Sequence, residues 1–267
     1  MPPLFNYTQK SGFATYFCAC SYLFIEQRLI NKIMDIKNKV VIVTGASEGI
    51  GRALARLLSK QGAKVVLAAR SADKLKMLEK ELTNSFAVRT DLRKSEDIKK
   101  LIAKTIKKYG RIDIFVNNAG QGMYGPVENI DIEKYKEVME LNLFGVLRAM
   151  QTVIPVMRHQ GGGMILNVGS LISKNYFPQL AAYASTKYAL NAISLTARQE
   201  LERDNIIVSV FHPRMTATDF GKHSIGSRPE WVSRPNAQRQ VPEIDAPEKV
   251  AQKITELIKS EEAEAQM

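Results

Sequence analysis

The chain has 267 residues, 45% apolar and 24% charged, an ordinary globular balance long enough for one substantial α/β core. Its formal charge of +11 raises a nucleic-acid hypothesis, but the cations sit at helical spacing opposite apolar positions. Lys99, Lys100, Lys104 and Lys107 alternate with Ile98, Leu101, Ile102 and Ile106, and no basic–aromatic interleaving accompanies them, so no nucleic-acid partner is expected. Two cysteines, Cys18 and Cys20, and three scattered histidines, His159, His212 and His223, imply neither a disulfide framework nor a metal centre, and suit a reducing, cytoplasmic compartment.

Residues 1–33 differ in character from the rest of the chain. The apolar, aromatic run 12–25 (GFATYFCACSYLFI) is too short to span a bilayer as a helix, has no clear cleavage site after it, and would suit at most a membrane-surface contact. Met34 opens MDIKNKVVIVTG, a natural start for the main domain, so 1–33 reads as a poorly packed extension or an upstream start codon, and 34–267 as a single domain.

From residue 39 strands and helices alternate. The first strand (39–43) is a β-branched run that enters a glycine-spaced turn, Gly45-x-x-x-Gly49-x-Gly51, and leaves as a helix over 50–61 ending at Gly62. Further strands are expected at 64–69, 86–89, 111–116, 164–168 and 207–211. Helices are expected at 72–82, 95–108 (capped by Ser95, stopped by Gly110), 132–157 with a break near Leu141 and Asn142, 181–204 and 247–259. The strand runs are apolar throughout rather than alternating, as for a parallel sheet covered on both faces. The fold class is therefore α/β, a doubly wound parallel sheet of Rossmann type with six to seven strands. The tail SEEAEAQM carries no readable seventh strand and favours six. Residues 218–246, with Gly221, Gly226, Pro229, Trp231, Pro235 and Pro242, form a long irregular piece expected to act as a lid.

Ligands of such sheets bind beyond the carboxyl ends of the strands. There the chain places the glycine turn, then Asn117-Asn118-Ala119-Gly120, Ser170, and Pro213, Thr216 and Thr218. Tyr183 and Lys187 stand four residues apart on one helix, on the same face. Glycines let a backbone approach a ligand closely, and the helix start offers free N–H groups to a phosphate. A phenol is a poor acid–base at neutral pH, and a fixed ammonium beside it is expected to lower its pKa.

VTGASEGIG, NNAG, Ser170 and Tyr183-x-x-x-Lys187 together resemble the short-chain dehydrogenase/reductase family from about residue 39 to 259. The resemblance implies a nicotinamide dinucleotide and a catalytic group of Asn142, Ser170, Tyr183 and Lys187. Cofactor contacts would come from Gly45, Ser47, Glu48, Gly49, Ile50, Gly51, Arg70, Asp91, Leu92, Asn118, Ala119, Gly120, Tyr183, Lys187, Pro213, Thr216 and Thr218. NAD-binding sites usually carry an acid about 20 residues past the glycines. Here that place holds Ala69, Arg70 and Ser71, and guanidinium suits a 2′-phosphate, so NADP(H) is expected. Glu48 weakens that case slightly. Arg214 replaces the glycine that the family often has after proline, and is expected near the nicotinamide entrance. Gln121, Met123, Tyr124, Leu171, Tyr176, Phe177 and the 218–241 loop would wall a hydrophobic carbonyl substrate. The two long helices, with Phe144, Leu147 and Ala192 on their outer faces, suggest a homodimer or homotetramer. The rival reading is a non-catalytic NADP-binding redox sensor.

Overall fold

The structure, a computed structural model, describes residues 34–229 and 244–267. The run 12–25 and most of the expected lid beyond Pro229 lie outside the described residues.

Seven parallel strands form one sheet in the order β3-β2-β1-β4-β5-β6-β7. They are β1 (Val40–Thr44), β2 (Lys64–Ala69), β3 (Ser85–Arg89), β4 (Ile114–Asn117), β5 (Gly163–Val168), β6 (Ile206–His212) and β7 (Glu264–Gln266). The helices are α1 (Gly49–Lys60), α2 (Ala72–Glu81), α3 (Ser95–Tyr109), α4 (Ile132–Met139), α5 (Gly145–His159), α6 (Ala181–Glu200) and α7 (Pro247–Ser260). Strand order reverses between β1 and β4, and this switch point opens the crevice in which doubly wound sheets bind ligands.

The β-branched residues of β1 are buried along their whole length because helices cover both sheet faces. Val40, Ile42, Val66, Phe115, Ile165 and Val208 pack with Ile98 and Leu101 of α3, Val146 and Val153 of α5, and Leu190 of α6. The alternate residues Val41, Val43, Val65 and Leu67 are equally buried. Gly110 ends α3 in the left-handed conformation at φ 75°, as its sequence position implied. Ser95 is the first helical residue rather than the cap, and Lys94 occupies the cap position without a side-chain bond.

Two features bear on function. The break expected near Leu141 and Asn142 is a π-helical turn, Glu140–Phe144, between α4 and α5. Such turns widen a helix locally and re-aim its side chains. The six-strand expectation is overturned by β7. Glu264, Ala265 and Gln266 pair in parallel with Val210, Phe211 and His212 at the sheet edge. Arg198 ties the preceding turn down, donating to the Glu261 carbonyl at 2.7 Å and to the Val208 carbonyl at 2.9 Å.

Candidate active site

The glycine turn comes directly after β1. Gly45 and Gly49 adopt φ of 65° and 54°, a region that favours glycine. A Cβ on Gly51 would stand 2.3 Å from the Gly45 carbonyl oxygen, and one on Gly45 would stand 2.8 Å from Asn118 Nδ2, so the turn closes only without side chains. Glu48 precedes α1 in extended conformation and makes no side-chain cap, leaving the first-turn N–H groups to a ligand. The Glu48 carboxylate is instead turned to Lys74 at 2.8 Å and His223 at 3.4 Å.

The loop after β4 is bound to this turn. Thr44 Oγ1 donates to the Val116 carbonyl and accepts from the Asn118 and Ala119 amides at 2.9 and 3.1 Å. Asn118 Nδ2 donates to the Thr44 carbonyl at 2.9 Å. Below it, Asn117 donates to Asn167, and Asn167 to Ser194, a fully buried ladder joining β4, β5 and α6. The resemblance implied a sheet-steadying role for Asn117 and Asn118, but sequence reasoning missed Thr44, Asn167 and Ser194, whose partners are distant in the chain.

Asn142, fully buried in the π-turn, reaches the next layer. Its Oδ1 accepts from the Gln121 amide at 2.9 Å, and its Nδ2 donates to the Gln121 carbonyl at 2.9 Å and to Thr186 Oγ1 at 3.1 Å. It thus fixes the loop after Gly120 to α6, one residue from Lys187. The Lys187 ammonium, 5% exposed, donates to the Val168 carbonyl at 2.9 Å and lies 5.9 Å from the Tyr183 ring centroid. It also lies 3.7 Å from where a Cβ on Gly120 would be.

Ser170, at the end of β5, accepts from the Ile172 amide at 3.3 Å and so also starts a short 3₁₀ turn, Leu171–Lys174. Its hydroxyl lies within hydrogen-bonding influence of the Tyr183 phenol. Ser170, Tyr183 and Lys187 therefore converge, with Asn142 beside them. The electrostatics differ from the expectation of an acidified phenol. Burial pushes the Tyr183 pKa up, the Ser170 hydrogen bond opposes this, and Tyr124 adds to the rise. Burial also lowers Lys187 to about 8. Desolvation of the buried phenol is the largest of these effects, and the expected acidification by Lys187 is not among them.

Cofactor candidates from the second and third strands are spread over a wider surface. Arg70 is exposed beyond β2. Asp91 carries its charge well below the usual carboxylate range, chiefly through the Arg93 guanidinium at 2.7 Å, with Arg70 contributing. Leu92 is a core residue, 3% exposed, so an adenine contact there falls to its backbone rather than its side chain.

After β6, Pro213 is buried and Thr216 pairs with Asp245. Thr218 lies over the glycine turn, its Cγ2 3.1 Å from where a Cβ on Gly49 would be. Phe220, in the 3₁₀ turn Asp219–His223, packs on the Tyr183 ring with centroids 5.7 Å apart. Gln121 Nε2 donates to the His223 carbonyl, and Ile225 pairs with Met123. The described part of that stretch thus packs against the glycine turn, Tyr183 and the loop after β4. One wall assignment and one entrance assignment are corrected. Tyr176 is 87% exposed and stacks on Tyr188 at 5.7 Å, an outward-facing pair. Arg214 turns from the entrance to the buried Asp245 carboxylate at 3.1 Å, where a counter-charge is required.

The short chain dehydrogenase family profile matches residues 39–227. The chain belongs to the short-chain dehydrogenase family. It is 36% identical over 193 residues to an uncharacterised oxidoreductase of Staphylococcus saprophyticus, covering 71% of this chain and 78% of that one. A 7α-hydroxysteroid dehydrogenase complexed with NADH and 7-oxo glycochenodeoxycholic acid superposes with TM-score 0.80 at 27% identity, covering 88% of this chain and 94% of that one. An alcohol dehydrogenase from the archaeon Thermococcus sibiricus, complexed with 5-hydroxy-NADP, superposes with TM-score 0.73 at 28% identity, covering 86% and 95%. Among the described residues of this short-chain dehydrogenase, no helix is long and apolar enough to cross a membrane.

Proposed function

We propose that the chain is an NADP(H)-dependent oxidoreductase interconverting a ketone or aldehyde with an alcohol. The observation that carries this reading is the convergence of Ser170, Tyr183 and Lys187 beside a glycine turn that closes only without side chains. The turn fits a dinucleotide: Gly45, Ser47, Gly49, Ile50 and Gly51 would lie along the pyrophosphate at the uncapped start of α1, with Asn118, Ala119 and Gly120 on the opposite wall. Arg70 would take a 2′-phosphate, and the Lys74 contact draws the Glu48 carboxylate toward a cation.

The bound nicotinamide would supply hydride to the substrate carbonyl. Ser170 would donate a hydrogen bond to the substrate oxygen and hold it near the phenol. Tyr183 would give its proton to the developing alkoxide; a phenol kept protonated by burial is in the right state for reduction. Lys187 would hold the ribose hydroxyls and refill the phenol's proton, its own proton made labile by burial. Asn142 would keep the Gln121 backbone and α6 at fixed separation. Tyr124, Leu171 and Phe220 around the cleft favour a hydrophobic substrate, in line with the similar steroid-binding structure, whereas Met123, expected as a wall residue, is buried against Val138 and Ala182. Phe144, 45% exposed, with Ile132 and Met139 leaves an apolar face on α4 and the π-turn suited to a second copy of the chain. The reading is tested by NADPH and NADH oxidation against a carbonyl panel: turnover preferring NADPH supports it, and cofactor binding without turnover of any carbonyl or alcohol favours the sensor reading.

A further inference from the structure

Behind Ser170 lies a polar cluster that the proposed chemistry does not use. His212, at the end of β6, is fully buried. Its ring occupies the space beside Gly169, where a Cβ would stand 2.8 Å from Nδ1. Nδ1 lies 3.1 Å from the Ser170 carbonyl oxygen and 3.2 Å from the Ser173 hydroxyl. Ser173 in turn donates to the Ser170 carbonyl at 2.7 Å. On the other edge, Nε2 stands 2.7 Å from Glu264 Oε1. The same oxygen is 2.5 Å from the Lys174 ammonium. Among the described residues neither Nε2 nor this oxygen makes a hydrogen bond of regular geometry, and the three groups are held at contact distance as charged neighbours.

We propose that β7 belongs to the catalytic apparatus, Glu264 acting as a positioning residue that fixes His212 against the Ser170 peptide and grips the following turn through Lys174. The inference rests on the reading of Ser170 as the substrate-oxygen donor. One carboxylate makes both ties, from the first residue of a short edge strand that, among the described residues, pairs with β6 alone. The charged groups facing the imidazole are Glu264 from β7 and Lys174 from the 3₁₀ turn. Burial lowers the ring's pKa, and the Ser170 carbonyl and Glu264 oppose that. Both ring edges meet acceptors, Nε2 the Glu264 carboxylate at 2.7 Å and Nδ1 the Ser170 carbonyl at 3.1 Å, so only a ring protonated at both nitrogens is held at each edge, and the Glu264 charge is what favours the second proton. Those two protons set the ring's orientation and hold its Nδ1 edge against the Ser170 peptide. The Ser170 hydroxyl has only a 3.3 Å hold on the Ile172 amide, so its aim depends on the peptide behind it.

The test combines ¹⁵N NMR of the His212 ring in the full wild-type chain with kinetics of Glu264→Ala and Glu264→Gln. The expected spectrum shows a protonated Nε2 at neutral pH. Glu264→Ala is expected to lower kcat roughly tenfold with cofactor Kd unchanged, a loss of aim at the reacting atom. Glu264→Gln, whose amide oxygen still accepts from Nε2, is expected to restore most of it. A bare Nε2 in the wild type, or wild-type kcat in Glu264→Ala, would overturn the proposal. If the wild-type chain turns over no carbonyl at all, the oxidoreductase reading fails, while the NMR result still decides the Glu264–His212 geometry.

Discussion

Replacing Lys187 by methionine should make the protein more stable at neutral pH while removing a site residue. The ammonium is 5% exposed and burial lowers its pKa from 10.5 to about 8. At about 1.4 kcal/mol per tenfold, holding that charge at pH 7 costs the folded chain about 3 kcal/mol relative to the unfolded one. Because the folded pKa lies below the unfolded one, the unfolded chain binds more protons between about pH 8 and 10.5, and wild-type stability rises with pH across that window. The cost is fully present below it. Methionine fills a similar volume without charge, but removes the ammonium's hydrogen bond to the Val168 carbonyl, worth about 1.5–3 kcal/mol. A net gain of up to about 1.5 kcal/mol at pH 7 is expected. Urea unfolding at pH 7 and at pH 10 reads both parts: the variant should lead at pH 7 and lose that lead at pH 10. A variant less stable at pH 7, or a difference that does not change with pH, would refute the desolvation argument.

Gly51→Ala should displace the glycine turn, since its Cβ would meet the Gly45 carbonyl at 2.3 Å; thermal unfolding should show a loss of about 1–3 kcal/mol or cofactor titration a loss of affinity above about tenfold, and wild-type values in both would contradict the geometry. Arg70→Asp should lower the NADPH-to-NADH preference in kcat/KM by roughly 10- to 100-fold, the worth of a charge-assisted pair, and an unchanged ratio would remove Arg70 from the 2′-phosphate site. Phe144→Asp should shift sedimentation toward the monomer if the face of α4 and the π-turn joins two copies, and an unaltered oligomer would place the contact elsewhere.

The parallel sheet was legible because its strands are apolar on both faces and its helices amphipathic, so period and alternation alone gave order and type. The π-turn was foreshadowed by Leu141 and Asn142, a polar residue inside an apolar helix that had to find partners. Strand β7 was not legible: Glu-Ala-Gln has no strand propensity, and the pairing is held by Arg198, more than sixty residues away. Arg214 was misplaced because its partner Asp245 lies 31 residues on, across an irregular stretch. The spacing of Tyr183 and Lys187 located the pair but not their depth, and depth governs both pKa shifts. Tyr176 looked like a wall residue for its aromaticity alone, whereas its stacking on Tyr188 faces outward.

The central claim, that the buried phenol exchanges a proton with the reacting oxygen, is tested most directly by comparing Tyr183→Phe with the wild-type chain. With NADPH and the best carbonyl from the panel, kcat should fall by at least about 10²-fold while the NADPH Kd stays within about twofold. An unchanged kcat in the Phe variant would contradict it.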